Sequence, residues 1–201
     1  AEGTREREIA TRVIREGKRI AGIVSSLLSF ARERKEEKSA VNVGRVLFEA
    51  ITLMEAQIRK DGIRLDVDVP EYLPPVVANP QQLQQVFMNV VSNARYALNK
   101  KYAPSDDDKI LTISCEEIMM KDSRFLEFTF FDRGTGISAD IIDKVMNPFF
   151  STKPSGEGTG LGLSISHGIV KDHGGRLVVE SAEGIFTKVS VCLPVKEENG
   201  K

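Results

Sequence analysis

From Arg5 to Lys38 the chain is densely charged except along one stripe. Val13, Ile20 and Leu27 share one heptad position and Ile9, Ile23 and Phe30 its partner, with Ala10, Gly17, Val24 and Ala31 alongside. The width of the stripe predicts a long amphipathic helix belonging to a bundle. Glu16 interrupts the partner position, and Gly17 costs about 1 kcal/mol relative to alanine in a helix interior. The apolar face calls for a second helix or a second chain, unless the helix folds back on its own domain. The run RERKEEKS, from Arg32 to Ser39, has no apolar residue and predicts the helix end and a linker. The expected organisation is therefore a partial helical domain over 1–39, a main domain over 40–196 and a polar tail over 197–201.

Beyond the boundary, Asn42 can cap a helix whose apolar positions Val46, Leu47, Ala50, Ile51, Met54 and Ile58 recur at three and four, ending at Asp61-Gly62. IRLDVDV, from Ile63 to Val69, alternates as a half-buried strand. A short strand follows Pro74-Pro75. Asn79-Pro80 then supplies a cap and a first-turn proline for a helix running to about Asn99. ILTISCEEIMM and RFLEFTFFDR are two long strand patterns flanking a polar turn at Lys121 to Ser123. A short helix over Ser138 to Val145, a glycine-rich loop, a helix over about Gly160 to Lys171, and strands over Leu177 to Glu180 and Thr187 to Leu193 complete the pattern. Strands and helices mix without strict βαβ alternation. An α+β fold with a mostly antiparallel sheet covered by helices on one face fits best.

Composition removes several function classes. The 201 residues are 41% apolar and 28% charged, with 28 basic against 29 acidic side chains and a net charge of −1. This balance argues against a nucleic-acid binder and against a disordered chain. No apolar run approaches the roughly 18 residues a membrane span needs, and AEGTREREIA is too charged for a secretory signal, so a soluble, cytoplasmic domain is expected. Cys115 and Cys192 lack metal-ligand spacing and read as free thiols.

Three segments carry candidate chemistry. Asn89 and Asn93, four apart, share one face of the long helix beside Val86, Val90 and Ala97. A neutral amide oxygen can bind a hard cation such as Mg²⁺ while leaving its charge to neutralise phosphates, but the pair reads equally as a structural hydrogen-bond clamp. In FFDRGTGIS, Asp132 ends a strand and Gly134 and Gly136 follow. A carboxylate there accepts hydrogen bonds and would choose an amino group such as adenine N6, or it simply caps a turn. In SGEGTGLGLSIS, Gly156, Gly158, Gly160 and Gly162 precede or open a helix. Their N–H groups can receive phosphate oxygens, or they form a hinge; the spacing is not that of a Walker loop. Between the last two segments, NPFFSTKPSGEG holds two aromatics and Lys153 in an irregular stretch suited to a mobile lid.

The ordered series NxxxNA, DxGxGI, PFF and GTGLGL resembles the N, G1, F and G2 boxes of the sensor histidine kinases of two-component systems, over about Ala40 to Val195. The preceding helix, particularly LLSFARE, resembles the second helix of that family's dimerisation and phosphotransfer domain, and PFFSTKPSGEGTGLGLSIS is similar to the nitrogen-regulator-like subgroup. The resemblance implies the Bergerat ATP-binding α/β sandwich shared with gyrase, Hsp90 and MutL. It implies that Asn93 holds Mg²⁺, that Asn89 lines the phosphate region and that Asp132 reads the adenine amino group. Gly134, Gly136 and Ile137 would border the base. Lys153 and the backbone of Gly158, Thr159, Gly160, Leu161, Gly162 and Leu163 would meet the phosphates. Thr187 would lie near the adenine, although the glycine usual before it is Phe186 here. Where many relatives have a lysine three residues after the second asparagine, this chain has Tyr96, with Arg95 and Lys100 as nearby basic residues.

The family's phosphoacceptor histidine lies on the first helix of a hairpin. The only histidines here, His167 and His173, fall within the nucleotide domain and read as surface or turn residues, so the acceptor is expected upstream of Ala1. A response-regulator receiver domain and a second copy, joined through the N-terminal helix, are the partners the resemblance implies; it leaves open whether the parent protein is anchored in the inner membrane. Gyrase-type ATPases carry a glutamate where Asn89 stands, and an amide cannot act as general base, so slow or no hydrolysis is expected. The rival readings are a nucleotide-binding regulator or protein serine kinase of the anti-sigma type, and an Hsp90-like or MutL-like ATPase.

Overall fold

Two asparagines set the entry points of the two long helices. Asn42 Oδ1 accepts from the backbone N–H of Arg45 at 3.0 Å and opens α1, Val43–Lys60. Asn79 Oδ1 accepts from Gln82 N at 3.0 Å, with Pro80 in the first turn, and opens α2, Pro80–Lys101, two residues longer than expected. The predicted stripe of α1 is buried at Val46, Leu47, Ala50, Met54 and Ile58, with Ile51 at its half-buried edge. Gly62 ends the first helix at φ +67°, where a Cβ would lie 1.7 Å from the Pro104 carbonyl oxygen. The computed structural model describes residues 13, 17, 37–104, 106–154 and 158–196. The expected bundle helix therefore falls, apart from residues 13 and 17, largely outside the described residues, as does the tail from 197.

A five-stranded sheet packs against these helices. It comprises β2 (Arg64–Asp68), β4 (Ile110–Met120), β5 (Ser123–Asp132), β6 (Arg176–Ala182) and β7 (Phe186–Pro194), in the order β2-β4-β5-β7-β6. β2 runs parallel to β4 and every other pairing is antiparallel. Lys121 and Asp122, at φ 47° and 65°, form the two-residue turn between β4 and β5, the left-handed pair that matches strand twist. One sheet face carries Ile113, Phe128, Phe130, Val189 and Val191 into the core, where the Phe87 ring of α2 meets Phe128 at 5.4 Å and Phe130 at 5.7 Å. On the other face Phe131 stacks on Phe186 at 5.4 Å. A third helix, α3 (Gly162–Asp172), packs on α2 and on β6. This is the expected two-layer α+β arrangement. Among the described residues no helix is long and apolar enough to cross a membrane. Both cysteines are free and buried.

Four local expectations change. Ser39, expected to end a linker, and Ala40 and Val41, for which no element was expected, form β1 and pair antiparallel with β3 (Val76–Ala78); three residues are too few to show alternation. β2 is an edge strand of the sheet, with only Leu65 partly buried, because among the described residues no strand lies beyond it. Ser138 to Val145 is not a helix. It holds a single 3-10 turn, Ile142–Lys144, because Ile141 and Val145 turn towards a cavity while Ile141 N and Lys144 N bond only to carbonyls three residues back. α3 starts at Gly162 because Gly160 is left-handed, at φ +69°.

Candidate functional site

A cavity of about 550 Å³ opens between α2, the ends of β5 and β7, and the segments on either side of the 3-10 turn. That size suits a small-molecule site. Of the residues singled out in the sequence, Asn89, Asn93, Asp132, Gly136, Ile137, Lys153, Gly158, Thr159, Gly160, Gly162, Leu163 and Thr187 line it. Gly134 and Leu161 do not, and stand behind the wall. Gly134 is needed for packing: a Cβ there would meet the Ala97 Cβ and Asp132 Oδ1 at 2.6 Å. Leu161 is buried at 5% exposure, its N–H donating to Thr159 Oγ1 at 3.3 Å.

At the floor, strand register sets Asp132 opposite Thr187 and Thr187 opposite Ser181. The Asp132 side chain is 4% exposed, and its Oδ1 accepts from Gly134 N at 2.9 Å. Burial pushes this carboxyl up to about 7, against the Gly134 N–H and the Lys101 ammonium, which both favour the anion. Lys101 is itself tied to the carbonyls of Arg133 and Gly184 at 2.7 and 2.9 Å. Gly136 turns the loop at φ +61°, where a Cβ would lie 2.0 Å from the Ala182 carbonyl oxygen. Phe186 points to the opposite sheet face, where it stacks on Phe131, so its presence in place of a glycine leaves Thr187 in the cavity wall.

At the other end, the Lys153 ammonium donates to Asn93 Oδ1 at 3.1 Å and lies 4.5 Å from the centre of the Tyr96 ring. The amide oxygen expected to face a cation thus already faces one. Its chemistry fits Mg²⁺, which takes few protein ligands and several from phosphate and water. Among the described residues no cluster of three or more His, Cys, Asp or Glu side chains offers another metal site. Asn89 also holds the fold together. Its Nδ2 donates to Gly162 O at 3.3 Å and Ser166 Oγ at 3.2 Å, clamping α3 onto α2 at the cavity wall. Arg95 turns away from the cavity, bonding Asp61 at 2.9 and 2.5 Å and Gln57 at 2.7 Å on the α1 side. Lys100 lines the cavity.

The lid aromatics split. Phe149 is 65% exposed at φ +66°, whereas Phe150 lines the cavity. Residues 155–157, with Gly156, fall outside the described residues. His167 is exposed on α3, as expected. His173 is not a surface residue. It is 5% exposed, its Nδ1 donates to Ile169 O at 2.8 Å, and its Nε2 accepts from Asn79 N at 3.0 Å, so it joins the end of α3 to the start of α2. Burial holds the ring below the ordinary histidine range.

Sequence reasoning missed Tyr96 as a cation support and Ser181 altogether. The first was legible, because it stands three residues after Asn93 and so on the same helical face. The second was not, because its neighbours depend on β6 pairing with β7.

Residues 78–197 match the family of histidine kinase-, DNA gyrase B- and HSP90-like ATPases. The chain is 30% identical over 180 residues to sporulation kinase E of Bacillus subtilis, covering 90% of this chain and 23% of that protein. It is 34% identical over 184 residues to the sensor kinase CckA of Brucella abortus, covering 88% and 19%. With the sensor histidine kinase ZraS of Escherichia coli the figures are 29% over 193 residues, 96% and 39%. The chain thus spans well under half the length of these relatives. Among solved structures, the nucleotide-free catalytic domain of the histidine kinase ThkA superposes with a TM-score of 0.65 at 27% identity, covering 80% of this chain and 97% of that one. Full-length ShkA in complex with AMPPNP shares the fold, with a TM-score of 0.71 at 20% identity, covering 95% of this chain and 39% of that one. The chain belongs to the family of histidine kinase-, DNA gyrase B- and HSP90-like ATPases.

Proposed function

We propose that this domain transfers the γ-phosphoryl group of ATP to a histidine carried on a helix outside the nucleotide domain, for relay to an aspartate of a response-regulator receiver domain. The observation that carries the proposal is the meeting, in one cavity, of a buried acid, an amide oxygen already facing a cation and a glycine-rich helix start, with an amide at Asn89 where a hydrolase would need a base.

In this reading Asp132 accepts from the adenine amino group and Gly136, Ile137 and Thr187 border the base. Lys153 and the segment from Gly158 to Leu163 receive the phosphates, at a helix start that favours anions. Asn93 is the residue to hold Mg²⁺, which supplies neutralisation of phosphate charge when bound. The bond from the γ-phosphorus to the ADP oxygen breaks and a bond to an imidazole nitrogen forms. The chain's own residues align these atoms and withhold a base from water. Neither internal histidine suits the acceptor role: His173 has both ring nitrogens engaged in the core, and His167 lies on α3, the element that closes the phosphate end. The amphipathic stripe at 5–38 is proposed to pair with a second copy, and ATP as substrate assigns the domain to the cytoplasm.

The test is incubation with labelled ATP and Mg²⁺, with and without a separately made helix hairpin bearing the acceptor histidine. Acid-labile, base-stable label on the hairpin and little ADP without it are expected. Rapid ADP formation by the chain alone would overturn the assignment.

A further inference from the structure

The hydroxyl of Ser181 stands outside the cavity wall and has three partners. It donates to Phe186 O at 2.6 Å, receives the backbone N–H of Ile137 at 2.8 Å, and lies 3.2 Å from Thr187 Oγ1. A serine hydroxyl has one proton and two lone pairs. The Phe186 carbonyl can only accept and takes the proton; the Ile137 N–H can only donate and takes one lone pair. The remaining lone pair faces Thr187, so the Thr187 hydroxyl donates to Ser181. Thr187 Oγ1 is thereby left with acceptor capacity alone towards the cavity, beside the carboxyl of its cross-strand neighbour Asp132.

From this we infer that Ser181 is a positioning residue for base selection: by fixing the proton of Thr187, it makes the cavity floor a pair of acceptors that read an amino group and reject a carbonyl oxygen at the same place on a purine. The inference rests on the nucleotide reading above and assigns its specificity to a residue that touches no ligand. Without the Ser181 oxygen, Thr187 is free to rotate and donate, so a 6-oxo purine finds a donor at Thr187 where the native hydroxyl offers only a lone pair. A second consequence is mechanical. The same hydroxyl ties the loop at Ile137 to the β6–β7 hairpin, so base selection and loop placement share one atom.

The experiment compares binding of ATP and inosine triphosphate, which differ at C6, amino against oxo, and at N1, bare against protonated, to the full chain and to Ser181→Ala, Ser181→Thr and Thr187→Val. The native chain is expected to favour ATP by about a hundredfold or more, since a site that hydrogen-bonds a polar group rejects the analogue lacking it. Ser181→Ala should shrink that ratio by about tenfold, the value of one directed hydrogen bond. Ser181→Thr, which keeps the hydroxyl, should restore it. Thr187→Val, which leaves Ser181 its two backbone partners, should reproduce the loss even if Ser181→Ala fails to fold. Equal weakening of both nucleotides in Ser181→Ala, or an unchanged ratio in Thr187→Val, overturns the inference. Failure of the native chain to bind either nucleotide would instead strike the nucleotide reading itself.

Discussion

Titrating the Asp132 carboxyl should couple nucleotide binding to proton release. In the free protein burial brings this group to about 7, from an ordinary 3.8. The difference represents roughly 4 kcal/mol in favour of the neutral acid. About half the population is therefore neutral at pH 7, and only the anion offers both oxygens as acceptors. An amino donor at the floor stabilises the anion, so binding at pH 7 should release about half a proton, and affinity should fall about tenfold between pH 8 and pH 6. Calorimetry in two buffers of different ionisation enthalpy reads the proton directly, and Asp132→Asn serves as the blank that removes the titration of ATP itself. The sign for stability runs the other way. Because the folded pKa lies above the unfolded one, the buried charge costs stability above pH 7, and that cost fades as pH falls from about 7 towards 3.8. Asp132→Asn should thus melt higher at pH 8, by about 1 to 3 kcal/mol once amide desolvation is counted, while binding ATP more weakly. Affinity that stays flat from pH 8 to pH 6, with heats independent of buffer, would refute the placement of this carboxyl under the base.

The other predictions concern the supports of the cavity. Because the Nε2 atom of His173 must accept from Asn79 N–H, and burial lowers its pKa from 6.5, its contribution to stability should be complete above pH 6.5 and disappear as pH falls through the lower folded value. Urea melts at pH 7 and pH 5 should show a smaller pH effect in His173→Ala, which should cost about 2 to 3 kcal/mol at pH 7; an identical pH effect in both proteins would argue against the clamp. Asn93→Ala should abolish the gain in ATP affinity on adding Mg²⁺ while sparing binding in chelator, as read by displacement of a fluorescent nucleotide; a preserved gain would remove Asn93 from the metal. Although burial opposes it, hydrogen bonds from Asn99 and Arg95 hold the Asp61 carboxyl below its ordinary value. With both side chains of the Asp61–Arg95 pair 18% exposed, Asp61→Asn should lower stability by about 1 to 3 kcal/mol in denaturant melts and leave ATP affinity unchanged, since Arg95 faces α1. A large affinity loss without a stability loss would contradict that geometry.

Much of this protein was decided within a few residues of each feature, and so was legible along the chain. Asn42 and Asn79 cap helices because a short polar side chain meets an N–H three residues on. The stripe from Val46 to Ile58 and the alternation through β4 and β5 name their buried faces, since side-chain direction follows backbone period. Four ordered motifs resembled a family, and twelve of the fourteen site residues that the resemblance implied meet in one cavity. What remained depended on partners distant in the chain. β1 exists only because β3 lies beside it, and the apolar residues after Ser138 turn into a cavity that other segments enclose. Whether Asn89 binds a ligand or clamps α3, and whether His173 is wet or buried, is decided by which helix packs alongside. The Lys153 contact with Asn93 and the hydroxyl chain through Ser181 and Thr187 arise from pairing across the lid and the sheet. Local hydrogen-bond chemistry and periodicity are written into neighbouring residues; burial and hydrogen-bond partners belong to the assembled layers, because water leaves a side chain only when a remote segment takes its place.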